Sequence, residues 1–126
     1  RIFGAARKAE EGGSLTIIAT AAVETGSRAD EIVFDEFAGT ANMELRLSRS
    51  LAELRRYPAV VVAASSTRRE ERLLGADEVA AVWSLRRSLE GLDERHALES
   101  VVARLTETQS NVELLMQVQK AARVSA

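Results

Sequence analysis

Apolar and polar positions fall into two textures along the chain. Over residues 14–64, short runs rich in Ile, Val and Thr alternate with turn residues; beyond Leu73 there is no proline, only Gly75 and Gly91 interrupt, and the apolar spacing turns helical. Residues 2–11 carry Ala5, Ala6 and Ala9 among charged neighbours and predict a short helix closed by Gly12-Gly13. Residues 14–20 form a nearly continuous apolar run bounded by turn signals, which predicts a strand buried on both faces, as in a parallel sheet. Glu24-Thr25-Gly26-Ser27-Arg28 reads as a loop, with Asp30 as the N-cap of a short helix through Phe37. Gly39-Thr40-Ala41-Asn42 predicts a turn, residues 43–47 a strand, and Ser48 the cap of a short helix ending near Arg55. Residues 57–62 predict a second buried strand with Pro58 confined to its start, and residues 63–67 a small-residue loop leading into Arg68-Arg69.

The last third is more regular. Val79, Val82, Trp83 and Leu89 share one helix face, as do Ala97, Leu98, Val101, Val102 and Leu105, and Val112, Leu115, Met116 and Gln119 continue the pattern. Three amphipathic helices packed on one another or on the sheet follow from that spacing. No internal repeat or low-complexity tract is present.

Composition narrows the chemistry. The 126 residues are 46% hydrophobic and 29% charged, enough apolar material for a core, and 17 basic side chains against 19 acidic ones give a formal charge of −2. That excludes a globally basic nucleic-acid binder but leaves room for a local basic patch. No apolar run reaches the roughly 18 residues of a membrane span, so no membrane partner is expected. With no cysteine and one histidine, thiolate metal sites, cysteine nucleophiles and His-rich metal sites are excluded. The chain opens on Arg1-Ile2 without an initiating Met or a signal-peptide pattern, from which a fragment or processed chain in the cytoplasm is expected.

Neither G-x-x-x-x-G-K-[ST] nor G-x-G-x-x-G occurs. Ile32-Val33-Phe34-Asp35-Glu36 has the apolar-run-plus-acid look of a magnesium-binding strand, but without a phosphate loop it reads as an amphipathic turn with exposed acids. His96 reads as a surface histidine at a helix start, and Arg55-Arg56 and Arg86-Arg87 as solvated charge at helix ends. Two arginines stand out by position. Arg28 follows Thr25-Gly26-Ser27 just beyond the first expected buried strand, the edge where open α/β sheets meet ligands and where a glycine-containing loop offers N–H groups to phosphate. Arg68 follows the second expected strand across a short loop, from which an arginine reaches a transferring phosphate, including one bound by a neighbouring subunit.

Several ordered segments carry a family resemblance: Phe3-Gly4-Ala5-Ala6-Arg7, Gly12-Gly13-Ser14-Leu15-Thr16-Ile17-Ile18-Ala19-Thr20, Glu24-Thr25-Gly26-Ser27, Asn42-Met43-Glu44-Leu45, Leu47-Ser48-Arg49, Tyr57-Pro58-Ala59 and Thr67-Arg68-Arg69-Glu70-Glu71. In this order and spacing the chain resembles the bacterial transcription termination factor Rho family, without a gap to about Leu89 and more loosely through the helical tail. The family is a hexameric, RNA-dependent ATPase that translocates on nascent RNA and dissociates transcription complexes. The resemblance implies an α/β fold, the C-terminal part of a RecA-like P-loop ATPase domain over residues 1–74, closed by a three-helix subdomain over residues 75–126. It implies that Thr25, Gly26, Ser27 and Arg28 contact RNA in the central channel. Arg68 would be an arginine finger on the neighbouring subunit's ATP, Tyr57 would stack on adenine, and Arg55 would lie near the nucleotide. ATP and Mg²⁺ would belong to the complete ring, with none bound by these residues alone. RNA, further copies in a hexameric ring, and RNA polymerase in its transcription complex are the implied partners.

Departures from the family pattern are local. Ala38-Gly39-Thr40-Ala41-Asn42 stands where the family reads Lys-Gly-Thr-Gly-Asn, and Val61 and Ser66 replace an acid and a glycine before the finger. Two readings follow: a fragment of a Rho-like RNA translocase, or a non-catalytic diverged remnant that binds RNA or Rho subunits.

Overall fold

The computed structural model describes residues 2–124. They form mixed helix and strand: five α-helices and small two-stranded sheets among the described residues, in keeping with the expected α/β content. The chain divides into two compact units, Arg1–Glu44 and Leu45–Ala126.

In the first unit a 3-10 turn over Phe3–Ala5 precedes a small hairpin, in which β1 (Arg7–Lys8) pairs antiparallel with β2 (Ser14–Leu15), Arg7 opposite Leu15. The helix expected over residues 2–11 is therefore absent. The Gly12-Gly13 pair folds the chain back on itself, with the Ala9 N–H donating to Gly13 O at 3.2 Å, instead of capping a helix. The first buried strand also shortens to Ser14–Leu15: residues 16–23 have no regular structure, and Ile18 is 92% exposed. A strand buried on both faces needs a ladder partner along each edge, and among the described residues this segment has only the two-residue β1.

Helix α1 spans Arg28–Thr40, longer at both ends than the pattern predicts. Ser27, not Asp30, is its N-cap; the Ser27 hydroxyl accepts the Asp30 N–H at 3.5 Å, which places Asp30 in the first turn, where a carboxylate favours the helix dipole. Gly39 and Thr40 continue the helix, so the expected turn contracts to Ala41-Asn42 before the short strand β3 (Met43–Glu44). The Phe3 ring meets Phe37 of α1 edge-on at 4.9 Å, tying the 3-10 turn to the helix.

The second unit begins with α2 (Arg49–Glu53), capped as expected by Ser48, whose hydroxyl accepts the Leu51 N–H at 3.4 Å and donates to Glu94 at 2.8 Å. The second expected strand reduces to a bridge between Val60 and Leu47, flanked by Ser48 N–H to Ala59 O and Val61 N–H to Arg46 O. Pro58 offers no N–H at its start, and the chain turns at residues 62–64 before β4 (Ser66–Thr67) and a 3-10 turn at Glu70–Arg72.

The three tail helices form as the spacing predicts: α3 (Ala76–Ser88), α4 (Glu94–Glu107) and α5 (Asn111–Val124). Val79, Ala81 and Leu89, Ala97 and Leu98 of α4, and Leu114 and Val118 of α5 are buried, and Leu51 of α2, at 1% exposure, is the largest fully buried side chain among the described residues. The inward face of α5 differs from the expected one, since Val112 and Met116 are exposed. Apolar residues lie on both sides of this helix, and packing against α3 and α4 selects the Leu114–Val118 stripe. Trp83 of α3 and Leu105 of α4, expected inside, are also exposed.

Candidate nucleic-acid and nucleotide contacts

Thr25, Gly26, Ser27 and Arg28 form a structured entry to α1. The Thr25 hydroxyl donates to Asp30 Oδ2 at 2.7 Å and accepts the Ser27 N–H at 3.2 Å. Gly26 has φ +73, with open space where a Cβ would stand, and Glu24 before it also adopts a left-handed φ of 55. Glycine takes that conformation freely, whereas a glutamate does so at a cost of about 1–2 kcal/mol. Thr25, Gly26 and Arg28 are exposed, and Ser27 is half-buried through its cap. The result is a cation at a helix N-terminus whose first turn carries two carboxylates, Asp30 and Glu31, the Asp30 carboxylate accepting from the Thr25 hydroxyl while the Asp30 N–H donates to Ser27. An anion approaching from solvent meets the Arg28 guanidinium and the positive end of the helix together.

Arg55 and Tyr57 sit at the other end of a helix. The Arg55 N–H donates to Ala52 O at 3.0 Å and the Arg56 N–H to Leu51 O at 2.9 Å, the paired bonds of a Schellman cap on α2. Arg55 holds the left-handed position of that cap, φ 57, which usually belongs to glycine. Its side chain is exposed, and two residues on Tyr57 is 64% exposed, its hydroxyl 3.4 Å from Ala52 O. Arg56 between them is occupied, paired with Glu99 at 3.2 Å. An exposed aromatic ring two residues from an exposed arginine is chemistry that suits a base with a phosphate attached.

Arg68 lies exposed on the two-residue turn between β4 and Glu70. The next residue, Arg69, is the third non-glycine residue with a left-handed backbone, φ 53. Each of these three positions thus falls within or beside a candidate segment, where local strain most often marks function. The preceding loop is fastened: the Ser65 hydroxyl accepts the Arg46 N–H at 3.0 Å and donates to Val61 O at 2.8 Å.

Three of the departures from the family pattern fit the backbone they occupy. Ala41 has φ −64, a conformation that needs no glycine; Ser66 lies in β4; and Val61, half-buried, pairs its backbone with Arg46 and Ser65. His96 is exposed as expected, its backbone N–H and ring Nδ1 both engaged with Asp93, whose carboxyl is held below the ordinary aspartate range chiefly by that N–H. Arg86 departs from its expected role as solvated charge: it is half-buried, and Nη1 donates to Ser65 O at 3.0 Å and toward Val62 O at 3.5 Å. The signal was its place seven residues after the buried Val79, on the same helix face. Among the described residues, no group of three or more His, Cys, Asp or Glu side chains is placed to hold a metal ion, and no helix is long and apolar enough to cross a membrane.

No family model matches the chain. Over 120 residues, 95% of its length, it is 60% identical to transcription termination factor Rho of Micrococcus luteus, 58% identical to that of Streptomyces lividans and 54% identical to that of Thermotoga maritima. These matches cover 17%, 17% and 28% of the respective relatives, so the chain spans well under a third of their length. Along 95% of its residues the chain is similar to a minor part of the transcription termination factor Rho proteins.

Proposed function

We infer that the chain works as a segment of a Rho-like, RNA-dependent ATPase in the cytoplasm, contributing contact residues to a hexameric ring that terminates transcription. Residues 1–74 belong in this reading to a RecA-like α/β core and residues 75–126 to its helical closing subdomain. Arg28, with Thr25, Gly26 and Ser27 shaping its loop, grips the phosphates of RNA in the channel. Tyr57 stacks on adenine, Arg55 faces the nucleotide phosphates, and Arg68 reaches the ATP of the adjacent subunit, where an arginine finger neutralises charge that develops in phosphoryl transfer. ATP and its Mg²⁺ supply the transferring phosphoryl group and its charge neutralisation. Residues of this chain orient the base and complete the neighbour's site.

The observation that carries this reading is the 54–60% identity over 95% of the chain, which runs through every one of these segments. That Ala41 and Ser66 sit in backbone conformations open to any residue favours the working segment over the diverged remnant. The test grafts this chain's 120 matched residues into the Micrococcus luteus relative and measures RNA binding. R28A should lower affinity and reduce the salt dependence by about 0.7 in log–log slope, the value for one phosphate contact on a single strand. Unchanged affinity and slope would remove Arg28 from the RNA contact.

A further inference from the structure

Two side chains of α3 hold the two ends of the Arg68 turn. Upstream, Arg86 Nη1 lies 3.0 Å from Ser65 O and 3.5 Å from Val62 O. These carbonyls close a tight turn in which the Ser65 N–H donates to Val61 O at 3.1 Å, and the Ser65 hydroxyl binds the same carbonyl at 2.8 Å. Downstream, the Trp83 Nε1–H donates to Glu70 Oε1 at 2.6 Å. Glu70 opens the 3-10 turn, and its carbonyl accepts the N–H groups of Leu73 and Leu74 at 2.9 and 3.0 Å. Trp83 and Arg86 are three residues apart and so lie on one face of α3. Between the anchored residues Ser65 and Glu70 run only four others, Arg68 among them, and Arg69 in the left-handed region fixes the direction in which the chain leaves.

We propose that Arg86, assisted by Trp83 through Glu70, is a positioning residue for Arg68, setting the turn that aims the guanidinium. The chemistry supports arginine in this role. A planar guanidinium reaches two carbonyls at once and keeps its charge when half-buried, so it fastens neutral oxygens that would otherwise be free to rotate toward water. The loop before Arg68 has lost the acid and glycine of the family pattern, with Val61 and Ser66 in their places, and the ties from α3 add to the bonds that the Ser65 hydroxyl makes within the loop. This inference rests on Arg68 acting as the finger.

The test compares R68A, R86A and R86K in the grafted Micrococcus luteus ring, by steady-state RNA-stimulated ATP hydrolysis, with amide hydrogen exchange of the same variants in the 126-residue chain. R86A should lower kcat by about 10- to 100-fold, as expected for an ångström-scale misplacement, with KM for ATP unchanged, and R86K, which keeps a charged donor without the planar fork, should restore only part of the rate. In the chain, R86A should speed exchange at residues 62–69 while α4 and α5 keep their protection. A slow R68A beside a wild-type R86A overturns the positioning role and leaves the finger standing. A wild-type R68A removes the finger and the inference with it. Faster exchange throughout α3, α4 and α5 in R86A marks a general stabilising role and also overturns the proposal. Should the ring not assemble, exchange in the chain decides: equal protection of residues 62–69 in R86A and wild type refutes the tie.

Discussion

Replacing Arg55 with glycine removes a five-donor side chain and should nevertheless make the chain more stable. Arg55 occupies the left-handed position of the Schellman cap that ends α2, at φ 57, and its side chain is exposed. An L-residue pays about 1–2 kcal/mol to stand there, and glycine gives back about 0.5–1 kcal/mol in backbone entropy lost on folding. The expected net gain is about 0.5–1 kcal/mol, or roughly 2–8 °C in Tm for a cooperative unit of 60–100 residues. R55A is the control, because it deletes the guanidinium and keeps the strain. Urea denaturation followed by far-ultraviolet circular dichroism and by emission of the single tryptophan, Trp83, reads all three proteins on one scale. R55G should exceed both wild type and R55A, and in the grafted ring both variants should weaken ATP binding. If R55G is no more stable than R55A, the left-handed strain assigned to this position is wrong, and with it the argument that arginine is kept there for contact and not for folding.

Leu51, at 1% exposure the largest fully buried side chain described, should cost about 2–4 kcal/mol when cut to alanine, measured by the same denaturation; a loss under about 1 kcal/mol would show that α2 is not held by the core. Asp93 gives a pH prediction with a definite sign. Its carboxyl is depressed in the folded chain, first by the His96 N–H, so the stability it contributes is complete above the unfolded value near 3.9 and is lost as pH falls through the folded value. D93N should therefore flatten the acid limb of the stability curve below about pH 4, and an unchanged limb would contradict the pairing.

What the sequence disclosed follows the range of the forces involved. Helices α3, α4 and α5, and the Ser48 cap of α2, depend on neighbours within one or two turns, and the presence of the three helices was legible from apolar spacing and that of the cap from Ser48 itself. The α5 face was not, because Leu114, Leu115, Met116 and Val118 surround the helix and only contact with α3 and α4 decides which turn inward. Residues 14–20 and 57–62 have strand composition, yet a strand is completed by partners distant in sequence, and here the pairings reach only Ser14–Leu15 and Val60. At the candidate sites, residue identity pointed to Arg28 and Arg68, while the devices that hold them were hidden. The Ser27 cap lay one turn before the expected Asp30 cap, and Arg86 was masked by its charge, though its spacing from Val79 put it on the inward face.

The central claim, that this segment completes a neighbour's ATP site, is tested most directly by R68A in the grafted Micrococcus luteus ring. With RNA present, the grafted ring should hydrolyse ATP, and R68A should slow hydrolysis by about 10³-fold or more at unchanged RNA affinity, the scale of a lost arginine finger. An R68A ring that turns over ATP at the wild-type rate would contradict the account.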